Sequence, residues 1–253
     1  MSGGRLQGRT VVITGASAGM GAAMLERFLA EGACIVAVSR GEERLSRRLE
    51  ATGAVDRVAP VAIDVTLPEA PQLIVKAALE RFGRLDVLIN NAGVGDGFQL
   101  AGEVDDEVWS RTMEVNLNGP MRLCRRAIPV FLEQGNGTFI ATASNAGERG
   151  GRSGAAYTAA KHGLIGLMRS IAATYFDRGI RANVIAPGWT ATEMDAGATV
   201  SADGWRKFRA VAELNPRIAE AAEIAELALF LATEESRALN GAVVTADSGW
   251  SVR

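Results

Sequence analysis

Tyr157 and Lys161 stand four positions apart in the Ala-rich stretch Tyr157-Thr158-Ala159-Ala160-Lys161, whose composition favours a helix. At i and i+4 the two side chains share one helix face, a single turn apart. A phenol titrates near ~10 in water, too high for efficient proton exchange at neutral pH, and an adjacent ammonium favours its phenolate. The pair is therefore a candidate general acid and base. The same spacing also occurs on ordinary helix surfaces, so its meaning depends on what accompanies it.

A second feature with chemical content lies near the start of the chain. Thr14-Gly15-Ala16-Ser17-Ala18-Gly19-Met20-Gly21 follows a β-branched run and opens a helical segment. A strand-to-helix turn rich in glycine brings the backbone close to a phosphate and aims free helix N–H groups at it. The spacing is GxxxGxG, which differs from the general GxGxxG dinucleotide fingerprint. Other chemistries lack support. His162 is the only histidine and follows Lys161, so it points about 100° away from that face and is expected to be structural. Cys34 and Cys124 have no CxxC spacing and no ligand cluster, and read as small buried hydrophobes. No metal site is expected. There is no GxSxG elbow and no paired-carboxylate arrangement, so hydrolysis is not supported.

The elements that must hold these residues follow from periodicity. Short β-branched runs recur at 10–14, 33–38, 58–63, 85–89, 137–142, 180–185 and 242–245, each reading as a buried parallel strand. Helical apolar spacing fills 19–31, 69–82, 104–132, 155–177 and 221–231. This alternation predicts an α/β Rossmann fold, a doubly wound seven-stranded parallel sheet with helices on both faces. No linker or repeat divides the 253 residues, so one domain is expected over 1–253. The segment 189–215 breaks the rhythm and mixes Gly, Thr and Ala with Trp189, Met194, Trp205 and Phe208, which predicts a substrate-binding lid.

Taken together, the TGxxxGxG turn, Asn90-Asn91-Ala92-Gly93, Asn116, Ser144, the YxxxK pair and Pro187-Gly188 resemble the short-chain dehydrogenase/reductase family, and the match extends over nearly the whole chain. The resemblance implies hydride transfer between a nicotinamide and a carbonyl. Ser144, thirteen positions before Tyr157, would hold the substrate oxygen, and Lys161 the ribose hydroxyls. Asn116 would complete a tetrad by ordering water; a mid-helix Asn also admits a purely structural reading. The resemblance places Gly15, Ser17, Ala18, Gly19, Met20 and Gly21 along the cofactor phosphates and adenosine. Asp64 and Val65 would border the adenine, Asn91, Ala92 and Gly93 its ribose, and Pro187, Gly188 and Thr190 the nicotinamide. Asp247-Ser248-Gly249-Trp250 departs from the family's usual DGG, and a Ser tolerates positive φ less readily than Gly.

Cofactor choice rests on the end of the second strand. Ser39 occupies the position where an acidic residue selects NAD(H), and Arg40 follows it, so NADP(H) is expected to be preferred, with NAD(H) possible. Ala18 leaves the glycine turn without a second basic residue, so Arg40 is expected to act largely alone. The substrate is expected to be a small-molecule ketone or alcohol; a 3-oxoacyl thioester is the alternative, and a non-catalytic nucleotide-sensing scaffold a more remote one. Glu133-Gln134-Gly135-Asn136 lacks the basic charge a carrier-protein partner would want, although Arg178 could serve. A net charge of −2 without like-charge runs points away from nucleic acid and membrane surfaces. No signal-peptide pattern or apolar run of ~18 residues appears, and a cytoplasmic location is expected. Apolar excess on 104–132 and 155–177 predicts a homotetramer, as in the family.

Overall fold

The computed structural model describes residues 4–192, 194 and 199–252. Seven strands run parallel in one sheet: β1 Thr10–Thr14, β2 Cys34–Ser39, β3 Val58–Ala62, β4 Val87–Asn90, β5 Gly137–Thr142, β6 Ile180–Pro187 and β7 Val243–Ala246. Their spatial order is β3-β2-β1-β4-β5-β6-β7. The order reverses between β1 and β4, which opens a crevice at their carboxyl ends. The strands fall within two residues of their expected bounds. Burial corrects one detail: β1, β4 and β5 are buried throughout, but the edge strands β3 and β7 are only partly covered. Pro60, which cannot donate to a ladder, sits on the β3 edge.

Among the described residues, eight α-helices connect and cover the sheet: α1 Gly19–Ala30, α2 Glu42–Thr52, α3 Ala70–Phe82, α4 Asp106–Met113, α5 Gly119–Gln134, α6 Ala155–Tyr175, α7 Ala202–Ala212 and α8 Ala221–Ala232. Helix α2 has no counterpart in the sequence expectation, because EERLSRRLEAT is charged around most of its circumference and offers the sheet only a narrow apolar stripe at Leu45 and Leu49. Alternate strand residues feed two cores, as a period of two requires. Val12, Leu88 and Phe139 meet Val75, Phe131 and Met168 of α3, α5 and α6 on one face. Val11, Ile13 and Ile89 meet Phe28 and Leu229 of α1 and α8 on the other. Cys124 is buried in the first core, where desolvation pushes its thiol up to about 12; Cys34 is only half-buried, contrary to expectation.

The expected helix over 104–132 is continuous in path but not regular. Between α4 and α5 the turn widens into a π segment, Glu114–Asn118. Inside it, Asn116 Nδ2 donates to the Thr112 carbonyl at 2.9 Å, so the side chain takes an acceptor that the regular ladder would use. The 189–215 segment contains α7, whose N-cap Ser201 accepts from Gly204 N at 3.0 Å, and a single bridge joins Thr190 to Ala219. Part of the expected lid, residues 193 and 195–198, lies outside the described residues.

At the opposite end of the sheet, the Asp86 carboxylate ties the starts of β1 and β4 together. It accepts from Thr10 N at 2.9 Å, from Arg9 Nη1 at 3.0 Å and from Arg84 Nη2 at 2.7 Å, with its own side chain 1% exposed. The two arginines are 37% and 45% exposed, so solvent screens their share, and the buried N–H left without an acceptor dominates the cost of removing the carboxylate. Asp86→Ala is expected to lose about 2–3 kcal/mol, a fall in Tm of roughly 5–10 °C. Thermal unfolding of the variant checks it; a loss below about 1 kcal/mol would show that the strands need no such tie.

Candidate active site

The glycine turn lies at the crevice. Thr14 ends β1 with its Oγ1 donating to the Ile89 carbonyl at 3.2 Å while accepting from Asn91 N at 2.9 Å and Ala92 N at 3.0 Å. Asn91 Nδ2 returns a bond to the Thr14 carbonyl at 2.9 Å. These four bonds lock the two strand ends against each other where the chain must bend. Gly15 takes φ +70°, and a Cβ on Gly21 would fall on the Gly15 carbonyl, so the turn folds back on the first helical residues with no side chain between. Ala18 caps α1 without a side-chain bond, and the first turn carries no acidic residue. The exposed helix N–H groups are thus left for an anion.

A cavity of about 430 Å³ opens over this turn. Its wall contains Gly15, Ser17, Ala18, Gly19 and Met20 from the turn, Ser39 and Arg40 from the end of β2, Asp64 and Val65 after β3, and Asn91, Ala92 and Gly93 after β4. Gly21 stands behind Gly15 instead. The Ser17 and Ser39 hydroxyls meet at 2.7 Å. Arg40 is 61% exposed at the rim, with Nη1 3.9 Å from Asp64 Oδ2. Asp64 does not end β3; it follows by two residues and makes a turn, its Oδ1 accepting from Thr66 N at 2.9 Å and Thr66 Oγ1 at 2.8 Å. Arg44, one turn into α2, shares the cavity wall, so Arg40 is not the only guanidinium there. Sequence reasoning missed it for want of α2. The shape and the donor set of this cavity fit a dinucleotide: uncapped N–H groups for the pyrophosphate, hydroxyls and guanidiniums where a ribose would lie.

A second cavity, about 470 Å³, adjoins the first through the shared wall residues Met20, Thr192 and Met194. Ser144 and Tyr157 line it together with Pro187, Gly188 and Thr190. Ser144 lies two residues beyond the end of β5, and its Oγ accepts from Ala146 N at 3.1 Å. That bond uses a lone pair and leaves the hydroxyl hydrogen to donate, as it does to Asn145 Oδ1 at a long 3.4 Å. Tyr157 is in the first turn of α6. Asp96, buried at 2% exposure, anchors that turn by accepting from Gly154 N at 3.2 Å and Tyr157 N at 2.9 Å. Asp96 carried no recognisable signal in the sequence, because an aspartate in a glycine-rich loop looks like any turn residue.

Lys161 and Asn116 stand behind the cavities rather than in them. Lys161 is 2% exposed; its Nζ donates to the Thr142 carbonyl at 2.9 Å and lies 5.4 Å from the centre of the Tyr157 ring. Desolvation pulls its ammonium down to about 7. Asn116 is fully buried, with Nδ2 donating to Val94 O at 2.9 Å and Oδ1 accepting from Val94 N at 3.3 Å. Gly93 brings the two together: a Cβ there would lie 2.9 Å from Asn116 Oδ1 and 3.6 Å from Lys161 Nζ. His162, by contrast, is exposed and turned back to the Thr158 carbonyl at 2.9 Å.

The far wall of the second cavity is aromatic. Trp189, Trp205 and Phe208, expected as lid residues, pack with Phe98 and Trp250, which were not; Phe98 and Phe208 centroids are 4.6 Å apart and Phe208 and Trp250 6.2 Å. Ser248 accepts φ +57°, so the DSG turn keeps the left-handed bend that a glycine would give and still delivers Trp250 to the wall.

The site's surroundings agree with comparisons across known proteins. A sequence-family profile described as enoyl-(acyl carrier protein) reductase matches residues 15–251. The 3beta-hydroxysteroid dehydrogenase 2 of Eggerthella lenta is 38% identical over 97% of this chain and 96% of its own length. The crystal structure of levodione reductase superposes with a TM-score of 0.88 at 33% identity, covering 98% of this chain and 99% of that one. That of carveol dehydrogenase from Mycobacterium avium, in complex with NAD, gives 0.88 at 28% identity, covering 99% and 100%. With the sheet order and the glycine turn, these likenesses establish that the chain belongs to the short-chain dehydrogenase/reductase family of NAD(P)-dependent oxidoreductases.

Proposed function

We propose that the chain is a carbonyl reductase that prefers NADPH and interconverts a bulky cyclic or aromatic ketone with its secondary alcohol. One observation carries this reading: Ser144 and Tyr157 face an aromatic cavity that adjoins the glycine-turn cavity, with Lys161 buried behind the phenol. The nicotinamide, when bound, supplies or takes the hydride. The protein's own groups handle the oxygen and its proton. In reduction Tyr157 gives its phenolic proton to the carbonyl oxygen, and the Ser144 hydroxyl donates to the same oxygen as negative charge develops on it. Lys161 favours the phenolate that remains and would hold the ribose hydroxyls. Asn116 keeps one lone pair of Oδ1 to order water, since its other bonding capacity is spent on Val94 and Thr112.

The aromatic wall favours a ring-bearing substrate over a linear 3-oxoacyl thioester, and a panel of both classes distinguishes them. A homotetramer belongs to the same reading; Trp109 of α4 and Phe176 after α6, within the two segments expected to pair, are 40% and 69% exposed. No described helix is long and apolar enough to cross a membrane, and a cytoplasmic location is part of the proposal.

Tyr157→Phe keeps the ring that packs against Lys161 and removes the proton. We expect kcat to fall about 10²-fold or more with NADPH affinity nearly intact; turnover within a factor of ~10 of wild type would refute the role. For the cofactor, Arg40 with Arg44 beside it would engage a 2′-phosphate, and kcat/KM should favour NADPH about ten- to a hundredfold. Ser39→Asp with Arg40→Ala should reverse the order by adding repulsion where attraction is removed. Wild-type kinetics that favour NADH would overturn this assignment and leave the reductase reading standing.

Lys161 makes stability depend on pH. Its folded-state value of about 7 lies below the ~10.4 of an exposed lysine, so between them the unfolded chain binds more protons and stability rises with pH. Below about 7 both states are protonated and the cost of burying the ammonium is present in full. Lys161→Met removes that cost, and the Tm difference between variant and wild type, both cofactor-free, should shift in the variant's favour at about pH 6 and against it by about pH 10. A difference that stays constant across this range would show that the lysine is buried without a shifted titration.

A further inference from the structure

Among the described residues that line the second cavity, one cation is not used by the proton-transfer machinery. Arg152, in the loop before α6, lines it beside Ser144 and Tyr157. Its guanidinium lies over the Trp250 indole, 4.3 Å from the ring centre, and its one hydrogen bond among the described residues is long, Nη2 to the Trp250 carbonyl at 3.5 Å. Nη1 is buried and has no hydrogen-bond partner among the described residues. A planar guanidinium presents paired N–H donors that match a carboxylate, and leaving such a donor desolvated and unbonded is costly.

The acid whose charge acts on Arg152 is Asp247, and both of its oxygens are already hydrogen-bonded. Asp247 is committed to the C-terminal turn, accepting from Gly249 N at 3.1 Å and Ser251 N at 2.8 Å. Among the described residues no carboxylate forms a salt bridge with Arg152; desolvation and the like charge of Arg149 oppose its protonated form, and the charge of Asp247 only partly offsets them. A cation held over an aromatic ring, lining a substrate cavity and within the field of Asp247 but in no salt bridge among the described residues, is complementary to an anion brought by the substrate.

We propose that Arg152 recognises a carboxylate on the substrate, so that the enzyme reduces an oxo acid whose ring body lies among the cavity aromatics and whose carboxylate pairs with the guanidinium. This rests on the reductase reading and narrows its substrate class. The carboxylate takes no part in the redox step; it fixes which end of the molecule enters and so which carbonyl reaches Tyr157.

The experiment compares aryl oxo acids with their methyl esters, the methylene spacer between carbonyl and carboxylate being lengthened stepwise. NADPH-dependent kcat/KM is measured for each, and binding is followed separately by quenching of tryptophan fluorescence. At the best spacer, wild type should favour the acid over its ester by about tenfold to a hundredfold, chiefly through KM. Arg152→Met should bring that ratio close to one, and Arg152→Lys should retain part of it. An acid-to-ester ratio near one in wild type at every spacer, an unchanged ratio in Arg152→Met, or no quenching by any acid would each overturn the proposal. If esters and acids bind with the expected preference but none is reduced, the carboxylate site stands and the reductase reading falls. If neutral ketones are reduced with no preference for acids, the reverse holds.

Discussion

Burial of the Lys161 ammonium is the constraint around which this site is organised. A lysine with 2% exposure and a single carbonyl acceptor at 2.9 Å is an expensive group, and desolvation already draws its proton affinity down towards neutrality. The lysine needs rigid surroundings on all sides. Thr142, at the end of the fully buried strand β5, supplies the acceptor; α6 fixes the Cα; and Gly93 lets the β4 loop close over the amine without a side chain in the way. Each of these is set by packing of the sheet, so the electrostatics of the site inherit the rigidity of the core.

The widened turn at Glu114–Asn118 follows from the same constraint. A regular helix would spend the Thr112 carbonyl on the backbone ladder. The π turn lets it accept from Asn116 Nδ2, and with Val94 holding the remaining polar atoms the amide is pinned on the inner side of the loop that covers Lys161. A helix distorted in this way is less stable as a helix. The buried, satisfied amide and the bonds to Val94 offset that loss, which is why the distortion can persist between two ordinary helical stretches.

The sequence is most legible where periodicity and glycine spacing coincide with strand ends. Seven β-branched runs and the turn at Gly15 lead directly to the sheet and its crevice, and the four-residue spacing of Tyr157 and Lys161 is enough to place both on one face of α6. Helix α2 is not legible, because its apolar stripe is only two leucines wide, and with it goes Arg44. Asp96 and Arg152 are illegible for another reason. Both sit in glycine-rich loops where local pattern carries no information about which distant element the loop meets; only the folded chain shows Asp96 under the first turn of α6 and Arg152 across from Trp250. Ser248 shows the converse: the departure from glycine is visible in the sequence, yet the backbone adopts φ +57° regardless, because Asp247 accepts bonds from Gly249 N and Ser251 N and over-determines the turn.

In the proposed reaction, proton transfer and substrate choice are built from different parts of the chain. The former would depend on Ser144, Tyr157, Lys161 and Asn116, fastened by bonds to Ala146, Asp96, the Thr142 carbonyl of β5, and Val94 with Thr112. The aromatic wall comes from four separate places: Phe98 after β4, Trp189 after β6, Trp205 and Phe208 on α7, and Trp250 near the C-terminus. Its pieces hold one another through ring contacts and through Trp250 Nε1, which donates to the Val211 carbonyl at 2.9 Å. On that reading, a change in the wall would alter which ring system fits without moving the groups proposed to handle the proton. The physical division is between a hydrogen-bonded centre, where small displacements are costly, and an apolar rim, where side chains of similar volume can be exchanged at little cost in stability.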